Sequence, residues 1–144
     1  MEYSQAKLGR VFVVRLYQGD RIPDCLEELA RKEDIRAATV TLVGGIEGGT
    51  IVVGPKDHRM PPEPMTTEVK GRHEVLGVGM IFATDGEPVL HLHAAFGRQR
   101  NTLVGCTRTG VRAYCVIEAV VTELVDCVAQ RKLDPDTGWH LLSP

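Results

Sequence analysis

Two histidines and a cysteine, His91, His93 and Cys106, are the residues whose types and spacing point most directly to chemistry. Residues 89–96 read VLHLHAAF, an apolar run with strand character. Side chains at i and i+2 of a strand share a face, about 6.5–7 Å apart along the backbone. The two imidazoles can therefore converge on one cation with bonds of about 2.0–2.1 Å, while Leu92 points into the core. The same pair would also serve as ordinary polar residues on a half-buried sheet face. Cys106 lies beyond the connection Gly97-Arg98-Gln99-Arg100-Asn101, on a segment able to return beside the histidine strand. Its thiolate would complete a His₂Cys set that suits zinc and leaves a fourth position for water or a ligand. An inert buried thiol is the alternative role for Cys106.

Four arginines, Arg98, Arg100, Arg108 and Arg112, flank these residues in the sequence. Guanidinium groups pair well with carboxylate or phosphate, so the four could form an anion pocket beside a metal, or remain solvated surface charges. Glu118, on the mixed face of a later strand, could orient a histidine or act as a base; pairing with an arginine is its plainer role. Cys25, on a helix, and Cys115, on an apolar strand face, read as core, and Cys127 carries no assignment. His58, His73, His140 and Glu74 have no arrangement that singles them out. The glycine-rich Gly44-Gly45-Ile46-Glu47-Gly48-Gly49 lacks the lysine and hydroxyl of a phosphate-binding loop and reads as a turn. No nucleophile elbow and no Ser-His-Asp order is evident.

The elements that must position these residues are legible from periodicity. A β-branched run from Gly9, GRVFVVRL, is a strand ended by Gly19-Asp20. Residues 23–32 form a helix with Ile22, Leu26, Leu29 and Ala30 on one face. Pro23 suits the first turn, and Asp20 or Asp24 lies near its positive end. Strands follow at 37–43 and 50–53, and the proline-rich GPKDHRMPPEP is a loop that could act as a lid or interface arm. Residues 73–84 alternate so that Leu76, Val78, Met80 and Phe82 share one side, and Asp85-Gly86 signals a hairpin. The last long strand, 111–124, places Val111, Ala113, Cys115, Ile117, Ala119 and Val121 on one apolar face. One early helix with many strands predicts an α+β fold, a compact single domain with a mixed, largely antiparallel sheet. Its bounds are a tail at 1–8, the domain at 9–124 and an extension at 125–144, where Trp139 and Leu141-Leu142 could dock onto the body or a neighbour.

The chain of 144 residues is 43% apolar and 25% charged, which suits one folded domain with a substantial core. A formal charge of −2 supplies no general attraction to nucleic acid or an anionic membrane. No apolar run approaches the roughly 20 residues that span a bilayer, and the start lacks secretory-signal character. Four scattered cysteines read as reduced thiols, so the expected location is cytoplasmic.

Together these segments resemble the plants-and-prokaryotes-conserved (PPC) domain over roughly residues 9–124. The resemblance rests on GRVFVVRLYQGD, the helix PDCLEELARKEDIRAATV, the turn VGGIEGG, the hairpin HEVLGVGMIFATDGEPVLHLHAAFGRQ and the closing strand YCVIEAVVTEL. It implies a trimer built around a compact α/β core, in a family without an assigned biochemical role. Many prokaryotic members carry HxH followed by a glycine-glycine-histidine segment, three histidines that look like a metal site. His91 and His93 match the first pair. The third falls at Cys106 within Val104-Gly105-Cys106, which keeps a zinc-compatible ligand but changes its charge and softness. The DNA-binding role attached to plant members belongs to an AT-hook, whose Arg-Gly-Arg-Pro core is absent here.

The first functional expectation is a homotrimeric zinc-binding module that receives a small anionic ligand or a protein partner. A zinc-dependent hydrolase using metal-bound water is the alternative. DNA binding by a basic face ranks third, and no membrane partner is expected.

Overall fold

The computed structural model describes all residues, Met1–Pro144. In chain order the elements are β1 (Lys7–Tyr17), α1 (Ile22–Lys32), β2 (Ala37–Glu47), β3 (Thr50–Pro55), β4 (Pro64–Glu68) and β5 (Arg72–Thr84), then β6 (Glu87–Arg98), β7 (Asn101–Thr107), β8 (Arg112–Val125), β9 (Gln130–Leu133) and β10 (His140–Ser143). The main sheet runs β1-β8-β2-β5-β6-β7-β3-β4, with the β9–β10 hairpin attached at β5. Every extended pairing is antiparallel; the one parallel contact is Thr84 against Arg131. The single helix is 11 residues long, so the expected α+β class fits only loosely. The physical reason is that after Lys32 the sequence keeps the two-residue period of strands almost to its end.

Helix α1 buries Ile22, Leu26 and Ala30, one residue per turn, while Cys25 and Leu29 pack at the edge of the same stripe. Against it lie inward residues of alternate strand positions: Ala38, Val40 and Leu42 of β2, Leu92, Ala94 and Phe96 of β6, and Ile117, Ala119 and Val121 of β8. Glu27, on the flank of the helix, accepts a 2.9 Å hydrogen bond from the Leu90 amide and so ties α1 to the histidine strand. Fully burying one such Leu or Ile contributes about 1.5–3 kcal/mol.

Four expectations change. The stretch 54–64 is not all loop: β3 continues to Pro55 and β4 starts at Pro64, and these two prolines face each other across the hairpin. The tail beyond Val125 is ordered as β9–β10 rather than weakly patterned. On β5 Leu76, Val78 and Met80 share the open face, but Phe82, grouped with them by alternation, is buried; the core side is Val75, Gly77, Gly79 and Ile81. Finally, Cys115 is exposed, not core. The register between β2 and β8 slips between Gly44 and Gly45, and Cys115 bulges out with a φ of 61°. Its amide donates to Gln18 Oε1 at 2.6 Å. Gly44 permits the bulge, since a Cβ there would stand 2.3 Å from the Val116 carbonyl oxygen.

Candidate metal centre

The centre is assembled by hairpin register. β6 and β7 are joined by a tight turn, Arg98 facing Asn101 and Gln99 taking a positive φ of 56°. Counting back from that turn, His93 faces Cys106. Residues directly opposite in an antiparallel pair project from the same face. On the other side His93 faces Val78 and His91 faces Met80, so all three candidate ligands share one face, with Cys106 itself buried. Cys106 in turn faces Val52 of β3.

Small residues make this possible. A Cβ on Gly79 would lie 2.8 Å from the His91 carbonyl oxygen and 2.9 Å from Leu92 Cδ1, so the glycine lets the histidine strand settle with Leu92 fully buried beneath it. A Cβ on Gly105 would lie 2.6 Å from the Val52 carbonyl oxygen. Gly105 thus allows β3 to close over β7 beside Cys106. Thr107 Oγ1 donates to the Leu92 carbonyl at 3.2 Å and pins the end of β7. Substituting Gly105 with Val is expected to cost about 1–3 kcal/mol of stability through overpacking and to lower bound metal; urea unfolding and metal analysis check both.

His91 Nε2 and His93 Nε2 are 3.1 Å apart, with the rings edge to face. One Nε2 carries the shared proton and the other accepts it, so holding a metal requires both rings in the Nδ1–H tautomer, which turns both Nε2 lone pairs to the ion. Two nitrogens on a tetrahedral zinc would be about 3.3 Å apart, given bonds of 2.0–2.1 Å. The Cys106 sulfur and the two histidine nitrogens all lie within 4.8 Å of one another. Small side-chain rotations would bring the three onto one ion. The donor set fits zinc: two neutral nitrogens and one thiolate.

Burial is the main cause that lowers the pKa of His91, from 6.5 to about 4, with Arg131, His93 and Arg108 adding to it. His91 is therefore neutral, and ready to ligate, throughout the neutral range. Burial raises the Cys106 thiol above its ordinary 9.0, against the pull of Arg108 and Arg131. Near pH 7 the metal must displace the Cys106 proton but none from His91. Zinc affinity is therefore expected to rise with pH, by about tenfold per unit from Cys106 alone. Chelator-competition titrations from pH 6.5 to 8.5 check this.

The predicted arginines divide. Arg108 lines the cleft that opens on His91, His93 and Cys106. Arg98 stands at the far end of β6, about 17 Å along the strand from His93, where its Nη1 donates to the Lys70 carbonyl at 3.4 Å. Arg100 is at the tip of the β6–β7 turn. Arg112 starts β8, facing Glu47 and bridging Arg21. Glu118 lies on β8, opposite Arg15 and Val43. With β2 and β5 between, it is about 14 Å from the histidine strand and orients neither histidine.

Two residues that sequence reading did not assign to the site also line the cleft, Arg131 and His140, both from the final hairpin. No motif marks Arg131, and only the docking of Trp139 and Leu141-Leu142 hinted at this wall. His140 is held by Asp85 at 3.2 Å. The cleft measures about 840 Å³ and is otherwise mainly apolar.

Comparison with known proteins follows the same outline. Residues 3–125 match the family described as the Plants and Prokaryotes Conserved domain. A solved structure of a metal-containing protein from Archaeoglobus fulgidus superposes with a TM-score of 0.88 at 21% identity, covering 100% of both chains. A plant- and prokaryote-conserved protein from Pyrococcus horikoshii superposes with a TM-score of 0.86 at 22% identity, over 100% of this chain and 98% of that one. At these identities the likeness is one of fold. The bifunctional protein GlmU of a Synechococcus species is 28% identical over 132 residues, 90% of this chain but 20% of that protein. This chain thus spans about a fifth of the length of that curated relative.

Proposed function

The chain belongs to the Plants and Prokaryotes Conserved domain family, and from that premise we propose that it is a homotrimeric zinc-binding module whose cleft receives a small anionic ligand. The observation that carries this reading is the convergence of His91 Nε2, His93 Nε2 and the Cys106 sulfur within 4.8 Å. Similarity of fold to a metal-containing archaeal protein supports it. Zinc bound there would supply a fixed positive charge and a Lewis acid facing the cleft. The chain's own residues would do the rest: His91 and His93 anchor, Cys106 adds a negative ligand, and Arg108 draws an anion.

Self-association is supported by the open sheet face. Val13, Val120, Thr41, Val78 and His93 form one cross-strand row, and Leu76, Val43 and Val104 lie in the next. Val13 is 87% exposed, Leu76 62% and Val78 61% in the single chain. Contiguous apolar surface of this kind marks an interaction site. It adjoins the metal centre, so association and ligation would be neighbours.

Binding is favoured over hydrolysis by one feature of the cleft. No Asp or Glu lines it, so no carboxylate stands in the cleft to serve as general base. DNA binding finds no support in the formal charge of −2 or in an open face that is apolar rather than basic. A cytoplasmic location fits the four unpaired thiols, and no helix is long and apolar enough to cross a membrane. Metal analysis of untagged protein purified without added metal tests the proposal. Close to one zinc per chain is expected, and its absence would sink the metal reading.

A further inference from the structure

The cleft beside the metal centre is lined by Arg108 and Arg131 and by no carboxylate. Neither arginine forms an ion pair within the chain. Arg131 is half-buried: its guanidinium lies 5.8 Å from the centroid of the Phe82 ring, and its Nε is shut off from solvent with no hydrogen-bond partner. A buried donor left unmet is costly, and costlier on a charged group. Two cations without counter-charges thus face a space walled by Val52, Val104, Trp139 and Leu141. Arg131, Trp139 and Leu141 come from β9–β10, beyond the family match that ends at residue 125.

We propose that this cleft binds a small organic carboxylate with an apolar body, gripped by Arg131 with Arg108 assisting and packed against Trp139. The planar guanidinium of Arg131 matches a carboxylate bidentately, and it has no counter-charge within the chain to compete for its donors. The apolar walls argue for a hydrocarbon body, because a bare inorganic anion would leave them without a partner. Specificity thus resides in the C-terminal hairpin, which lies beyond the residues matched by the family. The inference rests on reading the cleft as the ligand site beside the metal centre, but it does not require the carboxylate to touch the metal.

Trp139 is the sole tryptophan of the chain, so its fluorescence reports on the cleft directly. Titrating the full-length protein with 3-phenylpropionate, with its neutral amide 3-phenylpropanamide and with inorganic phosphate separates charge from shape. The acid is expected to bind about 10- to 100-fold more tightly than the amide, the range spanned by a hydrogen bond to a charged group, and more tightly than phosphate. Arg131→Gln should remove most of that preference, weakening the acid far more than the amide, since the apolar walls are untouched. Equal binding of acid and amide by the unaltered protein, phosphate binding as well as the acid, or an unchanged preference in Arg131→Gln would each overturn the inference. Zinc content measured on the same samples keeps the two readings apart. Zinc present with no acid preference overturns the ligand inference alone. An Arg131-dependent preference in protein that carries no zinc upholds it and overturns the metal reading.

Discussion

Protein carrying His91→Ala together with His93→Ala is expected to emerge from purification without zinc. Loss of a group that merely supports a ligand costs about 10–100-fold in metal affinity, and here two of the three ligands themselves go. The third can be tested against its own kind. Cys106→Ala should lose most of the metal, whereas Cys25→Ala and Cys115→Ala should keep it. Cys25 sits on α1 at the core edge, and Cys115 is exposed on the bulge of β8. Equal losses in all three cysteine variants, or none in Cys106→Ala, would remove Cys106 from the ligand set. Cys106→His offers the reverse test: metal should be retained, and the pH slope attributed to thiol deprotonation should flatten. Whether the zinc-free double variant stays folded tells what the metal is for. A cooperative unfolding transition near that of the unaltered protein means that the core around Leu92 and Phe96 holds without it; an unfolded apoprotein means that the ion is part of the fold.

Val78→Asp is expected to break the proposed trimer into single chains, with light scattering after gel filtration reporting a mass close to 15.8 kDa. Val78 lies between Thr41 and His93 on the open sheet face and is 61% exposed in the single chain. An aspartate there costs little while solvated, but association would have to desolvate an unpaired charge. Weakening of assembly by on the order of 100-fold or more follows from a penalty of several kcal/mol per buried ion. Val128→Asp serves as a control, because Val128 is 72% exposed but lies outside the paired strands of that face. An unaltered protein that runs as a single chain, or a trimer that survives Val78→Asp, would refute the assignment of this face. The zinc content of the dissociated Val78→Asp chain adds a further reading: full occupancy would show that one chain supplies the ligands by itself.

The helix, most strands and the His-X-His geometry were legible because each depends on local rules. Pro23 at the start and the stripe of Ile22, Leu26 and Ala30 define α1. The period of two puts His91 and His93 on one face whatever surrounds them. Asp85 and Gly86 take positive φ values of 51° and 89°, as a tight hairpin turn requires. Arginine positions were harder to judge. Closeness in sequence to His93 brought Arg98 and Arg100 under suspicion, yet a strand carries its residues away at about 3.4 Å each, and both end up at the distant turn.

What the sequence by itself determined is therefore the identity of the elements, the family resemblance and the shared face of the two histidines. Tertiary structure decided which face of each strand is inside. On β5 both faces are apolar, and alternation cannot choose between Leu76-Val78-Met80 and Val75-Gly77-Gly79-Ile81. The choice falls to packing, since Gly77 and Gly79 leave room for Leu42 and Leu92 while larger residues turn outward. Tertiary structure also delivered Cys106, through a hairpin register set by one tight turn, and expelled Cys115 through a bulge that only the Gly44 backbone could accommodate. Arg131 is the clearest case. Nothing local marks it, and its place beside Cys106 and His91 exists only because the last hairpin folds back onto the end of β5. Local periodicity follows from backbone geometry, but contacts between residues far apart in the chain depend on how whole surfaces pack.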